Sequence, residues 1–562
     1  MTCINQFCVF VQDRDGEWVV KCAPNSCQEQ LYLGTIDPHT ANLSWALLGT
    51  TGQLQAGIQR LIGQPSVGYC LIHCGTDPVM DLAENIDDYY NIHDIRTESQ
   101  AQILNLPPVL KPQGKRKLSK SYVNYNFLFI DSVSRHHFFR TLPKTVQVLD
   151  SINHLSGSMV LDFELIQGVR SRTFESLQAL FSGSIDPYSK PFGTQAMPKT
   201  KLNVGEMLNP LKKLGYGTLW QEDLCPFWEW GISKDLLVYN KSLNSEDLWK
   251  KLSKELSNSY IDSLGNTHAS CRILHSNGVA DPFHGPESLC YNGKHQHQYH
   301  LDYLTMYQKT FQKHSQHFFT FLETNIGHED TGQRVKYFDT HLTQYLNFAI
   351  KNLKSTLTVI FSDHGNAYGQ YVKDTPEGRL ETYQPFMFLI VPEDLQSLLT
   401  KSQLDALTIN QKRLVSMLDF HYTFTHLIHL MSQKPVSVQV SEFNKQFNVT
   451  QSGLLDQVSA HRTCSLIPRI MPNLCICSGY DVPSTHYAFH YILAQIFVGI
   501  LNNEILAQKA KGINSSGHVA IGDFGSCHRL KVSTVKNVQV SKINVSNIDV
   551  LNKMYFNKKR EI

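Results

Sequence analysis

The stretch Thr358-Val359-Ile360-Phe361-Ser362-Asp363-His364-Gly365 decides how this chain folds. A short apolar run rich in β-branched and aromatic residues is the pattern of a strand buried on both faces, as in a parallel sheet. Here the run stops abruptly at two adjacent metal-ligand types and a glycine. Open α/β sheets keep their sites at the carboxyl edge of such strands. The pattern gains weight only if other strands end the same way.

Working outward, Leu342, Tyr345, Ala349 and Leu353 mark an amphipathic helix that feeds this strand. Before it, Phe318 to Leu322 reads as a strand running into Glu323, Thr324 and, after a short loop, His328. After it, Pro385 to Pro392 encloses another apolar strand. Further away, Asn126 to Ile130 forms a strand ending at Asp131-Ser132, and Gly215 to Trp220 forms one ending near Glu222 and Asp223. Between these, Thr173 to Gly183 places Leu177, Leu180 and Phe181 on one helical face, with Thr173 at the N-cap and Gly183 as the stop. Strands alternating with helices predict an α/β fold, a mostly parallel sheet sandwiched by helices.

Three regions follow. Residues 1–118 form a Cys-bearing N-terminal region ending in a Pro- and Lys-rich linker from Pro107 to Lys120; residues 119–480 form the core; residues 481–562 form a C-terminal helix and a β-rich piece, with Lys531-Val532-Ser533 and Val538-Gln539-Val540 alternating like antiparallel strands. The apolar stretch Tyr491 to Leu501, bounded by His490 and Asn502, is too short to cross a bilayer. It predicts a buried helix and no membrane span.

Lys+Arg 51 against Asp+Glu 49 gives a net charge of +2, without a long basic or acidic run. Nucleic acid and anionic membranes are thereby set aside as main partners. The 13 cysteines are more informative. They cluster as Cys3, Cys8, Cys22 and Cys27, then Cys70 with Cys74, Cys271 with Cys290, and Cys464 with Cys475 and Cys477, leaving Cys225 and Cys527 alone. No C-x-x-C spacing occurs, so disulfides in an oxidising compartment are favoured over zinc, and the odd count leaves at least one thiol free or intermolecular. Sequons at Asn42, Asn240, Asn448, Asn514 and Asn544 agree with an extracellular or lumenal chain. Met1 to Cys8 carries no charged or apolar leader. A truncated gene model, unconventional export and reduced cysteines are the three ways to reconcile this with the rest.

Asp131, Thr173, Asp363 and His364 are the constellation that carries chemistry. Two carboxylates and an imidazole suit a divalent cation (Zn, Mn, Mg or Ca), which lowers the pKa of a hydroxyl held beside it and so makes a nucleophile. Thr173 at a helix N-terminus adds backbone N–H groups suited to an anionic ester; the alternative is an ordinary N-cap. Arg135, Arg170 and Arg172 are either clamps on such an ester or salt-bridge residues. His328 is a ligand or the acid that protonates the leaving group. Glu381 is a supporting residue or a purely structural one. His295, His297 and His300 form a polar-loop cluster whose bland reading, without metal, is preferred.

Ile130-Asp131-Ser132-Val133-Ser134-Arg135 followed by Arg140, Pro143 and Thr145, Ser362 to Asn366 followed by Gly369, Gly378, Glu381 and Pro385, and finally Arg462-Thr463-Cys464 with Cys475-Ile476-Cys477 resemble the family called domain of unknown function 229. That family resembles the sulfatase-like branch of the alkaline-phosphatase superfamily. The resemblance runs from about Asn124 to Cys477, and Val415 to Asp419 with Thr423 resembles the helix after the metal site. It implies Asp131 as the first-strand metal ligand, Asp363 and His364 as the late pair, and Thr173 as nucleophile, with Ser171 as runner-up. Ser176 stands where the family often has Asn. Thr324 stands where a second metal would need Asp, which implies one ion rather than two. No C/S-x-P-x-R motif lies on the helix, so sulfate-ester hydrolysis through formylglycine is not implied. The expected function is a metal-dependent hydrolase or transferase of phosphate-type esters acting on an anionic ester or glycan-like substrate. The alternative is a non-catalytic extracellular binding protein on the same fold.

Overall fold

A computed structural model of the chain describes residues 6–75, 101–110, 122–155, 157–169, 172–185, 201–236, 243–279, 282–432, 440, 449–467, 475–476, 481–483, 487–512, 528–535 and 539–541. Ser171, Arg170, most of the linker, Cys3, Cys477, Cys527 and the sequons at Asn240, Asn448, Asn514 and Asn544 lie outside the described residues. Two compact units are present, one holding 1–185 with 201–470 and the other 186–200 with 471–562.

In the first unit, strands Cys8–Gln12 (β1) and Trp18–Cys22 (β2) form a hairpin, closed by the Cys8–Cys22 disulfide. Leu31–Ile36 (β3), Leu43–Leu48 (β4), Tyr69–Cys74 (β5) and Gln102–Asn105 (β6) make an antiparallel sheet in the order β4-β3-β5-β6. The main sheet contains Asn124–Ile130 (β7), Met159–Asp162 (β8), Gly217–Glu222 (β10), Phe318–Thr324 (β13), Thr356–Phe361 (β14) and Met387–Val391 (β15), ordered β10-β13-β7-β14-β15-β8. Short pieces complete the set: Ile166–Gln167 (β9) with Val415–Ser416 (β16), and Cys290–Tyr291 (β11) with Lys294–His295 (β12). In the second unit Asp481–Pro483 (β17) pairs antiparallel with Gln539–Ser541 (β18).

β10, β13, β7 and β14 run parallel, whereas β15 runs against both its neighbours. Every residue of β13, β14 and β15 is buried, the condition for continuous apolar runs. The period of two sorts them to two cores. Phe127, Phe129, Phe321, Val359 and Phe361 face one core with Leu177, Leu180 and Phe181 of the helix Thr173–Ser182. Leu128, Ile130, Leu322 and Ile360 face the other, against Leu342 and Leu346 of the helix Asp339–Asn352. The expected mostly parallel, helix-covered sheet is present.

Several local expectations change. The helix Thr173–Ser182 has Arg172 as its N-cap, without a side-chain cap bond, so Thr173 is its first residue. Gly183 ends it in the left-handed region at φ 62°. Cys225 pairs with Cys271, not alone as its sequence neighbourhood implied, and Cys27 pairs with Cys74. Cys464 and Cys475 each take part in a disulfide. Among the described residues Cys70 and Cys290 keep free thiols.

The C-terminal apolar stretch belongs to a much longer helix, Tyr487–Gly512, because the pattern continues past Asn502 and Asn503 into Ile505, Leu506 and Ala507. Phe489, Ile492, Ile496, Phe497 and Ile500 are exposed on it, contrary to the expected burial. Phe489–Ala507 is long and apolar enough to cross a bilayer by length and composition. Lys531 to Ser533 is not a strand.

Candidate metal centre

Asp131 follows the last residue of β7, and Asp363 and His364 lie just beyond the end of β14, its direct neighbour in the sheet. Ligand atoms of these three buried residues lie within 4.8 Å of one another. Ser132 turns the chain with φ 60°. Its hydroxyl donates to Asp131 Oδ1 at 3.1 Å, and its amide donates to Asp363 Oδ1 at 3.4 Å. Asp363 Oδ1 also accepts from the amide of His364 at 2.8 Å. Asp363 Oδ2 has no hydrogen-bond partner and lies 3.2 Å from His364 Nε2. The other ring nitrogen, Nδ1, is 2.8 Å from the Gly365 carbonyl, a contact that places the proton on Nδ1 and turns the Nε2 lone pair toward the carboxylates.

Among the described residues the ion-pair contacts of these two carboxylates are to imidazoles, not to Lys or Arg. Burial, and then the neighbouring Asp363, push the Asp131 carboxyl well above the usual range. Two carboxylates buried side by side without a fixed cation are costly unless a proton or a metal neutralises them. An unpartnered carboxylate oxygen, an imidazole of set tautomer and a second carboxylate form a donor set that fits a divalent cation.

Thr173 Oγ1 lies 3.5 Å from Asp131 Oδ1, so its hydroxyl faces the ligand cluster instead of capping its own helix. Ser176, one turn on, is buried with an unpartnered Oγ. His328 stands at the rim, its Nε2 3.7 Å from Asp131 Oδ2 and its ring stacked on Phe283 at 3.8 Å. Burial, then His364, lower its pKa to about 3, so it is neutral at pH 7. Arg135 is engaged elsewhere: its guanidinium pairs with Asp162, Nη2 to Oδ2 at 2.7 Å, and lies over Phe139. Arg172 is exposed. His295 ends β12, and His297 and His300 are buried in the helix Gln296–Lys313 rather than in a polar loop.

The loops around the site are locked together. Arg140 grips Glu381 with two bonds, at 2.7 and 2.8 Å, and Ser134 donates to the same carboxylate at 3.0 Å. Asn366 donates to the carbonyls of Gly327 and Glu329 at 2.8 and 2.7 Å, tying the His364 loop to the His328 loop. A Cβ on Gly365 would sit 2.3 Å from the Glu381 carbonyl oxygen, and one on Gly327 would sit 2.6 Å from the Asp131 carbonyl oxygen. Both positions therefore require glycine for close backbone approach.

A group that sequence reasoning missed lies beside the centre. Glu222, Asp223 and Glu323 are buried at the ends of β10 and β13. Burial raises Glu222 to about 8 and Asp223 to about 6, and Glu323 rises with Glu222 and Asp131 adding to the burial effect. Asp223 accepts from the backbone and side-chain amides of Asn325. The available signal was that Glu222-Asp223 and Glu323 end strands as Asp131 does.

Residues 275–536 match the model of the family described as "Protein of unknown function (DUF229)". The match covers less than half of the chain, and this part is similar to DUF229. Comparison with curated proteins finds no match. Solved structures similar to the chain include the C-terminal periplasmic domain of EptC from Escherichia coli (15% identity over 55% of this chain and 83% of that one, TM-score 0.31). Others are the lipoteichoic acid synthase LtaP from Listeria monocytogenes (12%, 54% and 71%, TM-score 0.31) and an alkaline-phosphatase-superfamily protein from Vibrio parahaemolyticus (13%, 56% and 72%, TM-score 0.33). The DUF229 match takes in His328, Asp363 and His364; Asp131 and Thr173 precede it.

Proposed function

We propose that this protein is a metal-dependent transferase or hydrolase of phosphate-type esters, with Thr173 as nucleophile and Asp131, Asp363 and His364 holding one divalent ion. The observation that carries this reading is the Thr173 hydroxyl facing Asp131 at 3.5 Å, inside a cluster whose other ligand atoms converge. When bound, the ion supplies charge that lowers the hydroxyl pKa and neutralises developing negative charge. Thr173 Oγ1 forms the bond to phosphorus as the ester oxygen leaves, and its proton ends on that oxygen. In this reading His328, beside Asp131, takes and returns this proton. The first amides of the helix Thr173–Ser182 face the anionic group. Water completes hydrolysis, and an acceptor hydroxyl completes transfer.

Among the similar structures, EptC from Campylobacter jejuni and EptA from Neisseria meningitidis are described as phosphoethanolamine transferases. Those descriptions agree with the ester class, which itself rests on the donor set and on Thr173. Thr324 in place of a carboxylate, its Oγ1 buried without a partner, favours one ion. The disulfides favour an oxidising extracellular or lumenal setting.

The test measures bound metal and turnover of aryl phosphate monoesters, diesters and sulfates by the wild type, Thr173→Ala and Asp363→Asn. Wild type should hold one ion and turn over a phosphate ester, with Thr173→Ala slower by a hundredfold or more. Turnover indifferent to Thr173→Ala overturns the nucleophile, and a wild type without metal or turnover leaves the binding-protein reading.

A further inference from the structure

A second group of ligand-type side chains lies on elements that the first centre does not use. The Cys225–Cys271 bond leaves Cys290 with a free, half-buried thiol. The two-residue hairpin of β11 and β12 sets Cys290 directly opposite His295, with Sγ 3.4 Å from Nδ1. His295 is also the N-cap of the helix Gln296–Lys313, which places His297 in its first turn. The His295 and His297 rings stack with centroids 5.2 Å apart. His341, from the helix Asp339–Asn352, closes the group: its Nδ1 lies 2.8 Å from His297 Nε2, and its ring centroid is 5.8 Å from that of His295.

From these contacts we infer that Cys290, His295, His297 and His341 form a second metal site, a centre of one cysteine and three histidines for a zinc-type divalent cation. One thiolate and three imidazoles are the donors that borderline-soft ions select, in contrast to the oxygen-rich first centre. The competing account is plain packing of a thiol and stacked rings. Zn–S and Zn–N bonds of about 2.3 and 2.0 Å put neighbouring ligand atoms of a tetrahedral site about 3.3–3.6 Å apart, close to the Cys290–His295 separation. Among the described residues only the first centre already has three converged ligand atoms, so the second closes by rotation of the His297 and His341 rings out of their mutual contact. The Tyr337 carbonyl, 3.1 Å from His341 Nδ1, is placed to hold that nitrogen's proton and leave Nε2 for the ion. Uptake turns the Cys290 thiol into thiolate and releases its proton to solvent.

The test uses the full-length protein with disulfides intact and Asp363→Asn as background, so that the first centre is impaired. Cobalt(II) titration should give about one bound ion with a near-ultraviolet thiolate-to-cobalt charge-transfer band. Adding Cys290→Ser should abolish the band, and adding His341→Ala should weaken binding tenfold or more. A parallel measurement needs no variant of the cluster: zinc should slow iodoacetamide labelling of Cys290 in the wild type at least tenfold, and a chelator should restore it. Absence of the band in the Asp363→Asn background, or labelling at one rate with and without zinc, overturns the site.

Discussion

Gly365 shows how narrow the tolerances are at the level of one residue. Its Cα faces the Glu381 carbonyl so closely that any Cβ would overlap it, and its own carbonyl fixes the His364 tautomer. Gly365→Ala should therefore displace the loop and weaken metal binding tenfold or more, with an unfolding cost of about 1–3 kcal/mol for backbone overlap; metal titration and urea unfolding read the two effects. Unchanged metal affinity would show that this contact does not position His364. Asp131, Asp363 and His364 were legible in the sequence because a two-sided buried strand leaves few ways for adjacent polar residues to follow it. Thr173 was legible both as a helix start and as a companion of Asp131, but the N-cap position is Arg172, one residue earlier. The partner of the Thr173 hydroxyl, Asp131, is 42 positions away. For Arg135 the sequence leaves ester clamp and salt bridge open, and β8 brings Asp162 to it as the salt-bridge partner.

Among the elements, the register of β7 decides whether the centre exists. Asn126, wholly buried amid an apolar run, donates to Thr358 at 3.2 Å on β14 and accepts from Thr320 at 3.0 Å on β13 and from Gln308 at 3.0 Å. Asn126 is also the register partner of both threonines, so the three strands are bonded side chain to side chain at one level. Asn126→Leu removes three buried bonds: Thr358 loses the Asn126 donor, while Gln308 and Thr320 fall back on the 3.2 Å bond between them, and a polar atom buried unpaired costs about 1–3 kcal/mol. A loss of at least about 2 kcal/mol is expected in denaturant unfolding; a loss under about 0.5 kcal/mol would mean that the apolar faces alone hold the register. Strand positions were readable from the apolar runs, but not the reversal of β15, because antiparallel and parallel buried strands share the same composition. The carboxylates Glu222 and Glu323 were visible only as strand ends, since the finished sheet alone shows that β10 and β13 bury them together.

For the molecule as a whole, acid stability follows from buried imidazoles. His421 packs beneath Gly183 and bonds the Leu180 carbonyl at 2.9 Å, and burial lowers its pKa to about 4. Between pH 6.5 and 4 the unfolded chain takes a proton that the native His421 does not, so stability is lost as pH falls, by about 1.4 kcal/mol per pH unit. His268 and His300 act in the same direction, while the raised Glu222 and Asp223 oppose them. His421→Gln should flatten the dependence of unfolding free energy on pH by about one proton in that window; an identical slope in wild type and variant would refute the assignment. The neighbouring positions of β7 and β14 have a consequence in time as well as in space. Ser132 and Asp363 meet across 231 positions of chain, so the proposed metal site comes into being only after the pairing of β7 with β14 has closed. An ion that finds its ligands that late stabilises the product of folding more than the barrier. Metal should slow unfolding while leaving the refolding rate nearly unchanged, and stopped-flow jumps with and without chelator measure both limbs. A refolding rate accelerated in proportion to the stability gained would instead place the ligand encounter before the sheet.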